Sequence, residues 1–409
     1  MIQKVIMPKI SLGLQEALHL TLKDIKPLPV ENVSLVDCVD RIAAADLYAL
    51  VDSPTMDSSR KDGYAVLAHE IAGATVENPV RLKLLGSMAA GDEKDIQVIP
   101  GTTVRVLTGA PIPTGADAVL AEEYVTLGDS EVIAQSFAKP KNILRRGSDV
   151  TLGKCILRKG QQIPPMMAGL LAAAGHSTVP VFRNPVVGII GTGDEIVEPG
   201  QPLPEGMLYA SNIMTLAGWC TRYKIKTRLA IVKDNHADLS NALRIMANET
   251  DAVITSGGAW TGDHDLVAHV LLELGWQKVF HRIRIGPGKA IGFGMLVKKP
   301  VFVLAGGPPS NLMGFLQIAL PGLLALSGHV NPGLPKITAR LASEISDGES
   351  DWTDFFFGSL EWKEGLPDFY PMIKRSSLCS LAKATAVATI PEGQDSLPAG
   401  SLISVQWLE

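Results

Sequence analysis

Apolar positions change their period along this chain, and each change marks a segment. Near the N-terminus Leu14, Ala17, Leu18 and Leu22 fall at helical spacing behind Ser11, which can cap a short amphipathic helix. From about 46 to 141 the apolar runs are short and broken by Gly, Pro and Asp, as in "VRLKLLGSMAAG" and "EVIAQSFA". That texture predicts a small β-domain. The polar stretch "KNILRRGSDVTLGK" leads into "PPMMAGLLAAAG", read as a buried helix that stops at Gly175.

At Pro185 the texture shifts again. "PVVGIIGTGDEIV" is a continuous β-rich run ending in a glycine turn. Helix patterns ("SNIMTLAGWCTRY", "HADLSNALRIMAN", "HDLVAHVLLELG") then alternate with strand patterns ("TRLAIVKD", "DAVITSGG", "PVFVLAGGPPS"). A strand pair, "KVFHRIRI" and "AIGFGML", precedes the last of these, and a final helix pattern runs "NLMGFLQIALPGLLALSG". Alternation of this kind predicts βαβ units in a doubly wound parallel sheet, whose buried strands read as runs of Val, Ile and Leu. From about Pro332 short β patterns return, in "KITARLASEI", "DFFFGSLEWK" and "LISVQWL", and predict a separate small β-domain or barrel.

Composition narrows the class. The chain has 409 residues, room for about two to four domains. With 46% hydrophobic and 19% charged residues it supports sizeable cores and is not a disordered chain. A net charge of −5 gives no global attraction to nucleic acid. Cys38, Cys155, Cys220 and Cys379 are scattered, without CxxC or zinc-finger spacing, so they are expected to be reduced structural thiols of a cytoplasmic protein. No signal-peptide pattern opens the chain, and no apolar run was expected to span a membrane.

The chemistry gathers in four glycine-rich loops, expected at the carboxyl ends of the strands, where open α/β sheets bind ligands. They are "GTGDE" (Gly191, Thr192, Gly193), "TSGGAWTGDHD" (Ser256, Gly257, Gly258, Gly262), "GPGKAIGFG" (Pro287, Gly288) and "LAGGPPSN" (Gly306, Gly307, Pro308). Glycine lets the backbone approach a ligand closely, and a helix start beyond it adds free N–H groups and positive partial charge. Together the loops read as an anion-binding cleft. Asp194, Glu195, Asp234, Asp263 and Asp265 sit among them, and carboxylates beside phosphate call for a screening cation such as Mg²⁺. Glu195 and Asp265 are the favoured metal ligands. Asp263 reads equally as a helix cap. Lys289, after a rigid Pro-Gly, can neutralise an anion. His264 reads as a solvated loop residue rather than a base. Trp260 suits either stacking on a flat heterocycle or covering the domain edge.

These stretches, taken in order, resemble the MoeA-type molybdopterin molybdotransferases, the family that includes the E domain of gephyrin. "DSSRKDGYAV" (57–66) is similar to the family's D-N-S-A-M-D-G-Y-A-V, and "TGAPIPTGADAV" (108–119) to its T-G-A-P-x-P-x-G-A-D-A-V. "TGDEI", "SGGAWTGDHD", "PGKAIGFG" and "SSLCSLAKATAVATIPEG" match four further family motifs. The resemblance covers essentially the whole chain.

The resemblance implies a multidomain α/β plus β fold. A molybdopterin-binding α/β domain (182–330) would be flanked by an inserted N-terminal β-domain (46–141), an elongated helical linker domain (1–45 plus 142–181) and a C-terminal β-barrel-like domain (331–409). It implies Mg²⁺-dependent insertion of molybdate, or tungstate, into adenylylated molybdopterin with release of AMP. It also implies a homodimer, its cleft formed between the α/β domain of one subunit and the N-terminal β-domain of the other, fed by the adenylyltransferase that makes the substrate. Asp62, Thr108, Glu195, Asp234, Asp265 and Lys289 fall on family catalytic positions and Ser310 on a binding position. Asp62, Thr108 and Ser310 come from the resemblance alone.

The chain departs from the family at the cleft. The family's L-P-G-N-P-V-S is "LAGGPPS" here, with Ala305, Gly307 and Pro309 in place of Pro, Asn and Val. Gly286 replaces a lysine, Ala290 a proline and Ser148 an acidic residue, and Thr261 replaces a serine. Arg60, Lys61 and Arg284 are expected to restore the lost cationic charge. The alternative reading of the same fold is a non-catalytic molybdopterin carrier or scaffold.

Overall fold

The computed structural model describes residues 10–138, 142–258, 266–346, 348–372 and 378–409. The chain divides into two compact units, one of Asn32–Val181 and one of Met1–Glu31 with Phe182–Glu409.

The first unit carries a six-stranded sheet built from β1 (Gly63–Val66), β2 (Val80–Met88), β3 (Thr102–Val106), β4 (Ala118–Ala121), β5 (Val125–Leu127) and β6 (Glu131–Ala134). Its order is β4-β1-β3-β2-β6-β5, antiparallel except for the parallel pair β2–β3. Alternate residues serve two cores. Tyr64, Val66, Leu82 and Leu120 pack on one face, and Ala65, Val104, Val106 and Val119 on the other. Burial on both faces explains why β1 and β4 read as apolar runs rather than alternating patterns. A helix at Pro165–Ala173 starts on proline and ends at Gly175, whose φ of +93° is the left-handed stop expected there.

In the second unit α1 (Leu14–Lys23) buries Leu14, Ala17 and Thr21. Gly13 takes the N-cap position without a side-chain cap, so Ser11 does not cap this helix. Residues 10–31 therefore group with the α/β core rather than with 142–181, because Leu14, Ala17 and Ile25 fill that core.

The central sheet comprises β7 (Val186–Thr192), β8 (Lys226–Val232), β9 (Ala252–Ser256), β10 (Gln277–His281), β11 (Gly292–Leu296) and β12 (Lys299–Leu304), in the order β8-β7-β9-β12-β11-β10. β8, β7, β9 and β12 are mutually parallel. β11 runs antiparallel to both neighbours, so the sheet is mixed rather than wholly parallel. Helices α2 (Ser211–Arg222), α3 (His236–Glu249), α4 (Leu266–Glu273) and α5 (Pro308–Gly314) cover it. One face packs Ile189, Ile254 and Phe302 against α1, α2 and α5, and the other packs Ile190, Val253 and Val301 against α3 and α4.

α5 runs through a π turn (Phe315–Ala319) into α6 (Leu320–Leu326). Pro321 cannot donate to the carbonyl four residues back, and the wider turn accommodates it. The helix Pro308–Leu326 is long and apolar enough to cross a membrane by length and composition, but 83% of its apolar window is buried inside the protein. It is a core helix.

The C-terminal segment forms a closed five-stranded barrel of β13 (Lys336–Leu341), β14 (Thr353–Glu361), β15 (Asp368–Pro371), β16 (Ala386–Ile390) and β17 (Leu402–Trp407). Pairings β13–β17, β17–β16, β16–β14, β14–β15 and β15–β13 complete the circuit. Leu341, Phe356, Phe369 and Val405 fill it.

Candidate active site

Parallel register brings four strand ends together. Thr192 lies beside Val232, Gly191 beside Ser256, and Ser256 beside Leu304. The order reverses at β7, since β8 lies on one side of it and β9 on the other. That is the switch point where ligands enter such sheets.

A cleft of about 950 Å³ opens there. Gly191, Thr192, Glu195, Asp234, Ser256, Gly257, Gly258, Gly306 and Pro308 line it, nine of the residues expected from sequence. Gly193 is buried beside it. A larger cavity of about 1090 Å³, between α1, the π turn and the barrel, is lined by Arg284 and by none of the other residues expected at the site.

The cleft is held by short polar links. The Thr192 hydroxyl donates to Asp234, and the Asp234 N–H donates to Asp194 Oδ1 at 3.2 Å, joining the ends of β7 and β8. Gly257 and Gly258 adopt φ of +103° and +70°, and a Cβ on Gly257 would lie 2.3 Å from the Thr192 carbonyl oxygen. Glycine is required where these strand ends cross. Glu195 and Asp234 are exposed to the cleft, and Leu203, Leu208 and Tyr209 give it an apolar rim.

Two contributors were missed by sequence reasoning. Asn212, at the start of α2, donates from Nδ2 to the Gly306 carbonyl at 2.7 Å. Asn311, 2% exposed, donates from Nδ2 to Ser256 Oγ at 2.9 Å and to the Ala305 carbonyl at 2.8 Å. The available signal was the pair "SN" in the first turn of each helix, Ser211-Asn212 and Ser310-Asn311, which reads locally as capping.

Other predicted residues fall elsewhere. Pro287, Gly288 and Lys289 are on a turn between the two-residue strand Ile285–Gly286 and β11. The turn reaches this end of the sheet because β11 is antiparallel, with Gly292 opposite Val303. Its start is stitched to the barrel through Ile285↔Thr353 and Gly286↔Asp354, and exposed Lys289 is not among the cleft-lining residues. Gly307 and Ser310 flank the cleft in the first turn of α5 without lining it. Gly262 and Asp265, with Trp260, Thr261, Asp263 and His264, lie outside the described residues.

Asp62 and Thr108 come together in the first unit. Asp62 Oδ1 accepts from the Thr108 N–H at 2.7 Å and from its hydroxyl at 2.8 Å. Those bonds, the N–H first, hold the Asp62 carboxyl below the usual range against desolvation, with Arg105 adding to the effect.

Of the expected replacement cations, Arg284 is already committed. It donates to the carbonyls of Ser11 and Asp351 and pairs with Glu392 at 2.8 Å, so it fastens the N-terminal segment to the barrel and supplies no free charge. Lys61 pairs with Glu123 at 3.9 Å, and the Arg60 side chain is exposed. All four cysteines are free, and burial pushes the Cys220 thiol up to about 12, which makes it inert.

Comparison with known proteins agrees with this geometry. Residues 12–175 match the family described as the MoeA N-terminal region (domain I and II), and residues 188–325 match a probable molybdopterin binding domain. The molybdopterin molybdenumtransferase of Haemophilus influenzae is 35% identical over 306 residues, 74% of either chain. That of Synechococcus elongatus is 33% identical over 407 residues, 97% of this chain and 100% of the relative. Two crystal structures of MoeA proteins from Pyrococcus horikoshii superpose with TM-scores of 0.81 and 0.82. They are 33% and 28% identical and cover 98% and 97% of this chain, and 99% and 100% of their own.

Proposed function

Because the chain belongs to the MoeA family of molybdopterin molybdenumtransferases, enzymes of molybdenum cofactor biosynthesis, we propose a specific reaction for its cleft. It inserts molybdate, or tungstate, into adenylylated molybdopterin in a Mg²⁺-dependent step that releases AMP. The observation that carries this reading is the meeting of glycine-rich strand ends with Glu195 and Asp234 around one cleft.

The substrate joins an anionic phosphoanhydride to a flat pterin. Backbone N–H groups of the glycine loops suit its phosphates and the oxyanion. The apolar rim at Leu203, Leu208 and Tyr209 suits its ring system. Glu195 and Asp234 orient the attacking water and accept its proton as the anhydride breaks. Lys289 supplies cationic charge to the same anions, and Asp62, Thr108 and Ser310 take the roles implied by the family motifs.

The oxygen donors fit Mg²⁺. This ion binds through one or two carboxylates together with substrate phosphates, not through a closed protein cage. Among the described residues no group of three or more acidic, histidine or cysteine ligands forms such a cage. Glu195 would hold the ion, with Asp265 the second proposed ligand. When bound, it neutralises charge developing on the phosphates.

The proposed working form is a cytoplasmic homodimer supplied by the adenylyltransferase of the preceding step. The test is reactivation. Purified protein given adenylylated molybdopterin, molybdate and Mg²⁺ should convert a cofactor-free molybdenum enzyme to its active form. The Glu195→Gln variant should fail to do so while still binding the pterin. Pterin binding without reactivation by the native chain would favour the carrier, in keeping with the altered "LAGGPPS" loop.

A further inference from the structure

We propose that Asn212 and Asn311 are positioning residues for the oxyanion: their carboxamides together hold the loop at 305–307 in its binding shape. The inference rests on the cleft being the oxyanion site.

The two amides act on consecutive carbonyls. Asn311 Nδ2 reaches the Ala305 oxygen at 2.8 Å, and Asn212 Nδ2 reaches the Gly306 oxygen at 2.7 Å. Both donors sit at helix starts, Asn212 in the first turn of α2 and Asn311 in that of α5. The loop is thus gripped from two rigid elements, which is how a site is held to sub-ångström tolerance. Asn311 uses the second hydrogen of the same nitrogen on Ser256 Oγ at 2.9 Å. It therefore ties the end of β9 to the end of β12, strands already adjacent at Ser256↔Leu304.

The grip matters because the loop has little of its own. Gly306 and Gly307 are exposed and lack side chains, so their backbone is free unless held from outside. In a trans peptide the N–H points opposite to the carbonyl of its own plane. Fixing the Ala305 and Gly306 carbonyls therefore fixes the direction of the Gly306 and Gly307 N–H groups. Neither N–H has an acceptor among the described residues. Two adjacent unpaired N–H groups of set direction are a fitting recognition element for a tetrahedral oxyanion. Where the family motif carries Asn, this chain has Gly307, and its carboxamide stands one helical turn further on, at Asn311.

A purely structural role would move stability without moving oxyanion dependence, and the experiment separates the two. Asn212 is half-buried, so Asn212→Ala is expected to fold. Asn311→Ser keeps one donor at the buried position. Each variant is assayed for AMP release against molybdate and, separately, against the pterin substrate. In parallel, amide exchange is followed at Asn311, whose N–H donates to the Gly307 carbonyl at 2.8 Å.

The expected result for Asn212→Ala is a rise of about tenfold in half-saturating molybdate, the loss of one hydrogen bond of roughly 1.4 kcal/mol. Half-saturating pterin should stay within about twofold, and the Asn311 amide should exchange faster. Unchanged molybdate dependence in both variants would overturn the proposal. If the native chain shows no oxyanion-dependent turnover, the functional reading fails by itself and exchange decides the clamp. Faster exchange in Asn212→Ala then supports it, and unchanged exchange overturns it.

Discussion

Gly257 stands at a crossing of strand ends that no side chain fits, since a Cβ there would meet the Thr192 oxygen at 2.3 Å in a left-handed backbone. Gly257→Ala should lower stability by about 1–3 kcal/mol and remove turnover together, read as a shift in unfolding midpoint and an activity assay on the same sample. Asp62 makes a second prediction at this scale. Its carboxyl is depressed first by the Thr108 N–H and then by the Thr108 hydroxyl, so its stabilising contribution is present above the unfolded carboxylate value near about 3.9 and is lost as pH falls through the lower folded value. Thr108→Val removes only the hydroxyl bond and should bring the Asp62 titration part of the way back, measured by carboxyl NMR. Glycines, hydroxyls and acids at strand ends were legible because their types carry the chemistry. Asn212 and Asn311 were not, because Gly306 lies 94 residues from Asn212 and Ser256 lies 55 from Asn311, and a residue type found near helix starts reads locally as a cap.

At the scale of elements, period was informative and direction was not. Runs of Val, Ile and Leu, buried continuously in the structure, located the strands of the α/β sheet, and the helix pattern "HADLSNALRIMAN" located α3. The reversal of β11 left no mark, since an antiparallel strand buried between two others has the same composition as a parallel one. That reversal is why the Pro-Gly-Lys turn enters from the barrel side. The start of the sheet has its own lock. Arg183 grips Asp251 with two bonds of 2.8 and 2.7 Å, and the Val186 N–H adds a third at 2.8 Å. Burial pushes the Asp251 carboxyl up, but these bonds outweigh it and hold the group below its usual value. Its contribution is therefore present above about pH 3.9 and lost as pH falls further. Asp251→Asn should cost about 2 kcal/mol at pH 7 and progressively less as pH falls below about 3.9, a trend that denaturant titrations over a series of pH values will read.

At the scale of the whole molecule, changes of texture near residues 46, 185 and 332 separated the β and α/β regions, and the ordered motifs identified the family. The attachment of the N-terminal helix was not legible, because an amphipathic stripe says that a helix is buried, not against what. Leu14, Ala17 and Ile25 complete the α/β core, and Arg284 then binds the segment before the helix to the barrel. Barrel closure was equally hidden, resting on the single parallel pair β13–β15 between strands that otherwise read as an antiparallel meander.

AMP release reads the chemistry of the cleft. The purified protein is mixed with adenylylated molybdopterin and Mg²⁺, and AMP is followed as molybdate and tungstate are titrated separately. The proposed reaction predicts AMP release that rises with the oxyanion, saturates and falls sharply in Glu195→Gln. Tight pterin binding with no oxyanion-stimulated AMP would contradict it.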